Sequence, residues 1–284
     1  CPLIVGVGDG EHFIASDVPA ILAHTRSVIF LEDGDVVVAS AGRLAISDRQ
    51  GRPLPRTPVQ ISWSPTMAEK GGYKHFMLKE IHEQPQALIN TIQGRISPET
   101  GRVYVNEIGL TPERLRSVTK ITIAACGTSW HAGLVGKFLI ETLARVPVEV
   151  DIASEYRYRD PIIAPTDLVV GISQSGETAD TLGALREAKA RGASTLAICN
   201  VVGSTIAREA DWVLQTHAGP EIGVASTKAF TSQLVALLEV ALALGYERGR
   251  LDPQRGKALT EALVQLPTHI DEWLRRSAKS TADL

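Results

Sequence analysis

The pattern of apolar and polar positions changes near residue 114. Beyond that point, short unbroken apolar runs alternate with longer stretches in which apolar side chains recur every three or four residues. Runs such as Ile121-Thr122-Ile123-Ala124-Ala125 and Leu168-Val169-Val170-Gly171-Ile172 are too short for buried helices. They predict strands covered on both faces. The pattern places strands at 119–125, 147–153, 167–172, 194–199 and 211–215. It places helices at 129–144, 154–158, 178–191, 204–209 and 225–246. Such alternation predicts an α/β unit: a five-stranded parallel sheet between two helical layers, joined by right-handed crossovers.

Before residue 114 the pattern differs. Residues 1 to about 62 are β-rich, with strand-like runs at 2–8, 11–16, 27–31, 36–40 and 43–48. A short helix is expected at 17–23, capped by Ser16 or Asp17. Glu32-Asp33-Gly34-Asp35 lies between two of the runs and predicts a hairpin. Residues 63–113 connect the two parts. They contain a predicted helix at 73–92, with Phe76, Leu78, Ile81, Leu88 and Ile92 on one face and a kink at Pro85. A last helix is predicted at 257–278.

Two strand-to-helix turns carry candidate chemistry. The first, Cys126-Gly127-Thr128-Ser129, follows the first strand of the α/β unit. The second, Ser173-Gln174-Ser175-Gly176-Glu177-Thr178, follows the third. In a flavodoxin-like sheet these strands are neighbours at the topological switch point, where ligands bind. Free N–H groups and the positive end of a helix dipole face each turn. Neutral donors from Ser129, Ser173, Gln174, Ser175 and Thr178 add to them, a combination suited to a phosphate dianion. No lysine is present, so neither turn is the nucleotide-binding GxxxxGK[ST] loop. The competing reading makes the hydroxyls ordinary helix caps. Two such turns on the two strands that flank the switch point favour the phosphate.

Composition narrows the classes. Net charge is -3, with no basic stripe, so no nucleic acid partner is expected. No apolar run reaches membrane-spanning length, and the start lacks the features of a signal peptide, so no membrane partner is expected. Cys1, Cys126 and Cys199 form no CxxC pair. The last two close strand-like runs and are expected to be reduced core thiols of a cytoplasmic protein. His75 and His82 have no third ligand at metal-binding spacing, so no metal is expected. Glu177 sits where a general base would, but also where a first-turn helix carboxylate suits the dipole, and the second role is preferred. Glu155 is assigned to the first turn of a short helix capped by Ser154. Lys228 invites a Schiff-base reading. Its place at the start of an apolar helix favours a structural role.

These turns, together with Glu221-Ile222-Gly223-Val224-Ala225-Ser226-Thr227-Lys228-Ala229-Phe230-Thr231, resemble the sugar isomerase (SIS) domain. The similarity is greatest to the first of two such domains in the glutamine–fructose-6-phosphate aminotransferase family. The resemblance implies a bound hexose 6-phosphate. Ser129, Ser173, Gln174, Ser175 and Thr178 would hold its phosphate, Thr128 a sugar hydroxyl, and Val224 the sugar through its backbone, at a turn opening a helix. It also implies four segments. Residues 1–62 resemble the end of an N-terminal-nucleophile glutaminase domain. Residues 63–113 resemble the family's linker, through Lys70-Gly71-Gly72-Tyr73-Lys74-His75 and Lys79-Glu80-Ile81-His82-Glu83-Gln84-Pro85. Residues 114–253 are the SIS domain, and 254–284 lead toward a second one. Cys1 is not the family's nucleophile, because Cys1-Pro2-Leu3-Ile4-Val5-Gly6 matches an internal strand. The chain is therefore expected to be an internal fragment without catalytic groups, needing no cofactor, and a homodimer. The alternatives are a sugar-phosphate-binding regulator and an amino-sugar phosphate isomerase or deglycase. Both fit the β-rich start poorly.

Overall fold

The computed structural model describes residues 3–64, 69–97, 99–104 and 109–282, with side chains as far as Ser277. Cys1 lies outside the described residues.

The second part of the chain builds the predicted sheet. Strands β7 (Ile121–Ala125), β8 (Val148–Ile152), β9 (Leu168–Ser173), β10 (Ser194–Cys199) and β11 (Trp212–Gln215) pair in the order β11-β10-β9-β7-β8. Every pairing is parallel. β7 is buried at all five positions and β9 at all six, as strands covered on both faces must be. The order reverses between β7 and β9. The carboxyl ends of these two strands, Ala125 and Ser173, open the two candidate turns.

Helices α3 (Gly127–Leu143) and α7 (Lys228–Glu247) pack on one face, and α5 (Ala179–Ala190) on the other. The two sides of the sheet carry separate apolar clusters. Ile123, Ile140, Val170, Leu237 and Leu244 belong to one. Val169, Leu185, Ala197 and Ile206 belong to the other. Gly136 on α3 lets Leu237 approach so closely that an added Cβ would meet its side chain at 2.9 Å. Contrary to expectation, α7 does have membrane-spanning length and composition, over Lys228–Glu247. It serves instead as the central core helix, with 72% of its apolar window buried in the protein.

The first part is a four-stranded antiparallel sheet, β2-β1-β3-β6, made of β1 (Ile4–Val7), β2 (His12–Ala15), β3 (Ser27–Phe30) and β6 (Val59–Gln60). The short helix between β2 and β3 is a 3-10 turn at Val18–Ala20, and Asp17 stands at its N-cap without a capping bond. The hairpin expected across 32–35 does not form. β4 (Val36–Ser40) pairs with β5 (Arg43–Ser47) around Gly42, whose φ of 73° suits a tight turn. A turn does close there: the Asp35 carboxylate accepts from Glu32 N at 3.0 Å and from Arg56 at 2.8 Å, but β3 and β4 on either side do not pair.

α1 (Phe76–Ile92) runs straight through Pro85. Proline cannot donate to Ile81 O, and the Gln84 side chain takes that place at 3.0 Å. The expected apolar face holds only in the second half, where Leu88 and Ile92 pack with Val235 and Leu263 of α8 (Pro253–Ala282). In the first half Leu78 is exposed, while Lys79 and Glu80 are buried. The face turned inward there meets a polar loop. A helix at Pro112–Ser117, α2, was not predicted. Thr111 caps it by accepting from Arg114 N at 3.3 Å.

Candidate functional site

The two turns share one cavity of about 210 Å³. Ser129, Ser173, Gln174, Ser175 and Thr178 line it, and so does Thr128. Glu221, Gly223, Val224 and Ser226 close its other side, and among the described residues no lysine or arginine lines it. The structure therefore brings every expected binding residue to one place. It also adds Cys126, which is half-buried against this cavity instead of lying in the core. Cys199 is a buried core thiol, and burial pushes it up to about 12.

The 173–178 turn is held in shape from within. Ser173 Oγ accepts from Gly176 N at 3.0 Å and lies 2.9 Å from Thr178 Oγ1. Ser175 Oγ accepts from Glu177 N at 3.2 Å. Gly176 has a φ of 69°, a conformation that favours glycine. Thr178 occupies the N-cap position of α5, yet its side chain makes no capping bond. Cys126 occupies the same position on α3, also without one. The hydroxyls are thus not consumed as helix caps, and a hydroxyl that accepts an N–H keeps its own hydrogen to donate. The first-turn N–H groups of α3 and α5 have no partners within their helices.

Glu177 is not in the first turn of α5, which begins at Ala179. It reaches across to α6 (Thr205–Glu209), where Oε1 accepts from Thr205 N at 2.8 Å. Gly176 O accepts from Ile206 N at 2.9 Å. The turn is thereby tied to the loop after β10. Glu177 also faces a second cavity of about 240 Å³, between the turn and the β-rich part of the chain. Asp17 lies there, its carboxyl raised by burial and further by Glu177.

On the far wall, α7 begins at Lys228, so residues 223–226 precede the helix instead of opening it. Glu221 does the capping. Its Oε1 accepts from Thr227 N at 2.8 Å and Ala229 N at 3.1 Å, and its Oε2 accepts from Ser226 Oγ at 2.8 Å. The helix end thus balances this carboxylate beside the cavity. Lys228 is buried and pairs with Glu83 at 2.6 Å, which supports a structural role over a Schiff base. Sequence reasoning overlooked Glu80, which accepts from Ile222 N and Gly223 N. The signal lay in the apolar period, which fails in the first half of α1. Ser154 lies inside α4 (Ala153–Tyr156) and does not cap it, while Glu155 is in its first turn. His82 stacks on Tyr73, with ring centroids 5.4 Å apart. Among the described residues, no group of three or more His, Cys, Asp or Glu is placed to hold a metal.

The SIS domain model matches residues 114–243, the span that builds this parallel sheet and both turns. Residues 114–243 are therefore a SIS domain. The chain is similar to the glutamine–fructose-6-phosphate aminotransferases along nearly its whole length. It is 52% identical to the isomerizing enzyme of Symbiobacterium thermophilum over 98% of this chain and 46% of that protein. It is also 52% identical to an isomerizing enzyme of Thermus thermophilus, over 97% of this chain and 45% of that protein. The chain thus spans about half the length of these relatives. The solved C-terminal domain of glucosamine-fructose-6-phosphate aminotransferase from Francisella tularensis superposes with a TM-score of 0.67 at 46% identity, over 70% of this chain and 56% of that one. Glucosamine-6-phosphate deaminase from Thermotoga maritima shares the fold at 21% identity and a TM-score of 0.52, over 66% of this chain and 53% of that one.

Proposed function

We propose that the cavity between the two turns binds a hexose 6-phosphate. In this reading Ser129, Ser173, Gln174, Ser175 and Thr178 hold the phosphate, Thr128 holds a sugar hydroxyl, and the Val224 backbone borders the ring. What supports it is the convergence of these hydroxyls, the Gln174 amide and two helix N-termini on one cavity without a cation. Neutral donors suffice there, because each hydrogen bond to the phosphate is charge-assisted. The Val224 side chain points to solvent and leaves its main chain as the contacting group.

The parent reaction is the one its relatives are named for: fructose 6-phosphate and glutamine yield glucosamine 6-phosphate and glutamate. Released ammonia aminates the sugar, which is isomerised from ketose to aldose. The division that goes with this reading assigns 1–62 to the end of a glutaminase domain, 63–113 to a linker, 114–253 to the SIS domain and 254–284 to the connection beyond it. The protein is a cytoplasmic homodimer in this reading. Light scattering that finds a monodisperse monomer at high concentration would count against the dimer.

Calorimetric titration with fructose 6-phosphate, glucosamine 6-phosphate and inorganic phosphate tests the site. Both hexose phosphates should bind. Ser173→Ala and Thr178→Ala should each weaken them about tenfold, the size of one hydrogen bond to a charged group. Binding that neither substitution changes would overturn the assignment.

A further inference from the structure

Glu80 lies on α1, outside the α/β domain, and is only 2% exposed. Its carboxylate nevertheless holds the cavity wall. Oε1 accepts from Ile222 N at 2.6 Å, and both oxygens lie 3.1 Å from Gly223 N. Gly223 sits so close that an added Cβ would meet Glu80 Oε2 at 2.5 Å. Glu83, three residues on, accepts from Lys228 Nζ at 2.6 Å. It also pairs with Lys79 at 3.4 Å, and Lys79 donates to Glu69 O at 2.5 Å. The segment from Ile222 to Lys228 is therefore fixed to α1 at both ends. Between the anchors Val224 and Ala225 are exposed, and Gly223, Val224 and Ser226 face the cavity.

The burial pattern has a physical reason. A buried carboxylate costs free energy unless hydrogen bonds satisfy it. Two consecutive peptide N–H groups do so here, and they need a loop of fixed curvature. The phosphate turn at 173–178 has no such link to α1. It is held by its own hydroxyls, by Glu177 and by the loop after β10. The two walls of the cavity are set independently, one from within the domain and one from α1.

We infer that Glu80 is a positioning residue for the sugar wall: it shapes residues 222–226 and so makes the site select a hexose phosphate over a bare phosphate ester. This rests on the sugar-phosphate reading of the cavity. It gives α1 a part in substrate choice, although α1 contributes no group to the cavity.

The test compares the 284-residue chain with Glu80→Gln and Glu80→Asp. Fructose 6-phosphate and glycerol 3-phosphate, which lacks the hexose, are titrated into each. Thermal melting and amide hydrogen exchange at Ile222 and Gly223 are read alongside. In Glu80→Gln the Kd for fructose 6-phosphate should rise about tenfold and that for glycerol 3-phosphate by less than about twofold, one charge-assisted interaction being lost on one wall only. Exchange at the two amides should quicken while protection in β7 and β9 holds. Glu80→Asp keeps the charge on a shorter arm and should fall between the two. Equal weakening of both esters, or unchanged exchange at Ile222 and Gly223, would overturn the inference. A wild-type chain that binds neither ester would overturn the sugar-phosphate reading and the selectivity with it. The amide exchange separates that failure from a failure of the Glu80 anchor.

Discussion

Arg95 and Glu239 meet 3.1 Å apart in the interior, their side chains 5% and 0% exposed. Arg95 follows α1 and Glu239 lies in the middle of α7. The guanidinium also donates to Thr91 O at 2.8 Å and to Gln215 O at 2.5 Å. One side chain therefore joins α1, α7 and the end of β11. Burial, only partly offset by Arg95, raises the Glu239 carboxyl from its ordinary value of 4.5 to about 7. Between those values the folded protein keeps a proton that the unfolded chain gives up. Stability from this group is full below pH 4.5 and is lost as pH rises through about 7. Denaturant unfolding from about pH 5 to about pH 8 should show that decline, and Glu239→Gln should flatten it. Glu239→Ala strands the Arg95 charge and should cost about 3–5 kcal/mol.

Glu177 separates a structural from a chemical reading of the phosphate turn. Its bond to Thr205 N caps α6. Glu177→Ala should lower the unfolding free energy by about 1 kcal/mol, as the loss of an N-cap does. The affinity for fructose 6-phosphate should fall only about threefold, because the turn's own hydroxyls and the bond from Ile206 N to Gly176 O still hold its shape. A large loss of affinity with unchanged stability would place Glu177 in the site instead.

The sheet was legible because each strand is a short apolar run ended by a turn. The two site turns were legible for the same reason, since Gly and hydroxyl residues punctuate both. What escaped was decided by tertiary partners. Glu80 is buried because a polar loop 142 residues away supplies its partners, and Lys79 because it donates to Glu69 O and pairs with Glu83; no apolar period encodes either. Glu32-Asp33-Gly34-Asp35 has hairpin composition, but the strands on either side find other partners, β3 with β1 and β6 and β4 with β5. Helix α2 did carry its signal, in Thr111-Pro112-Glu113: a cap, a first-turn proline and an acid.

Gly176 is where the turn is most sensitive. Its φ of 69° disfavours any side chain, and a Cβ would overlap the Ser204 hydroxyl. Gly176→Ala should cost about 2 kcal/mol of stability through strain and crowding. Fructose 6-phosphate binding should be lost with it, because Gly176 N orients Ser173 Oγ. Adding Ser204→Ala should restore part of the stability by removing the clash with the hydroxyl, but neither the 2.5 Å contact with the residue 204 Cβ nor the strain in φ. Melting curves and calorimetry on the single and double variants check both halves.

Cys126 and Cys199 each stand at the end of an apolar strand yet meet different surroundings. Cys199 is 1% exposed, and with its thiol pushed up to about 12 it carries almost no thiolate at neutral pH. Cys126 is half-buried where α3 begins, beside the helix N-terminus and against the cavity. With Cys1 replaced by serine, a disulfide reagent should therefore modify one thiol of the native protein and reach the second only on unfolding. Cys126→Ser should abolish the native reaction. Saturating fructose 6-phosphate should slow it, because a phosphate bound between Ser129 and Ser173 covers the sulfur. Labelling that proceeds at the same rate with ligand bound would mean that the sugar phosphate sits elsewhere.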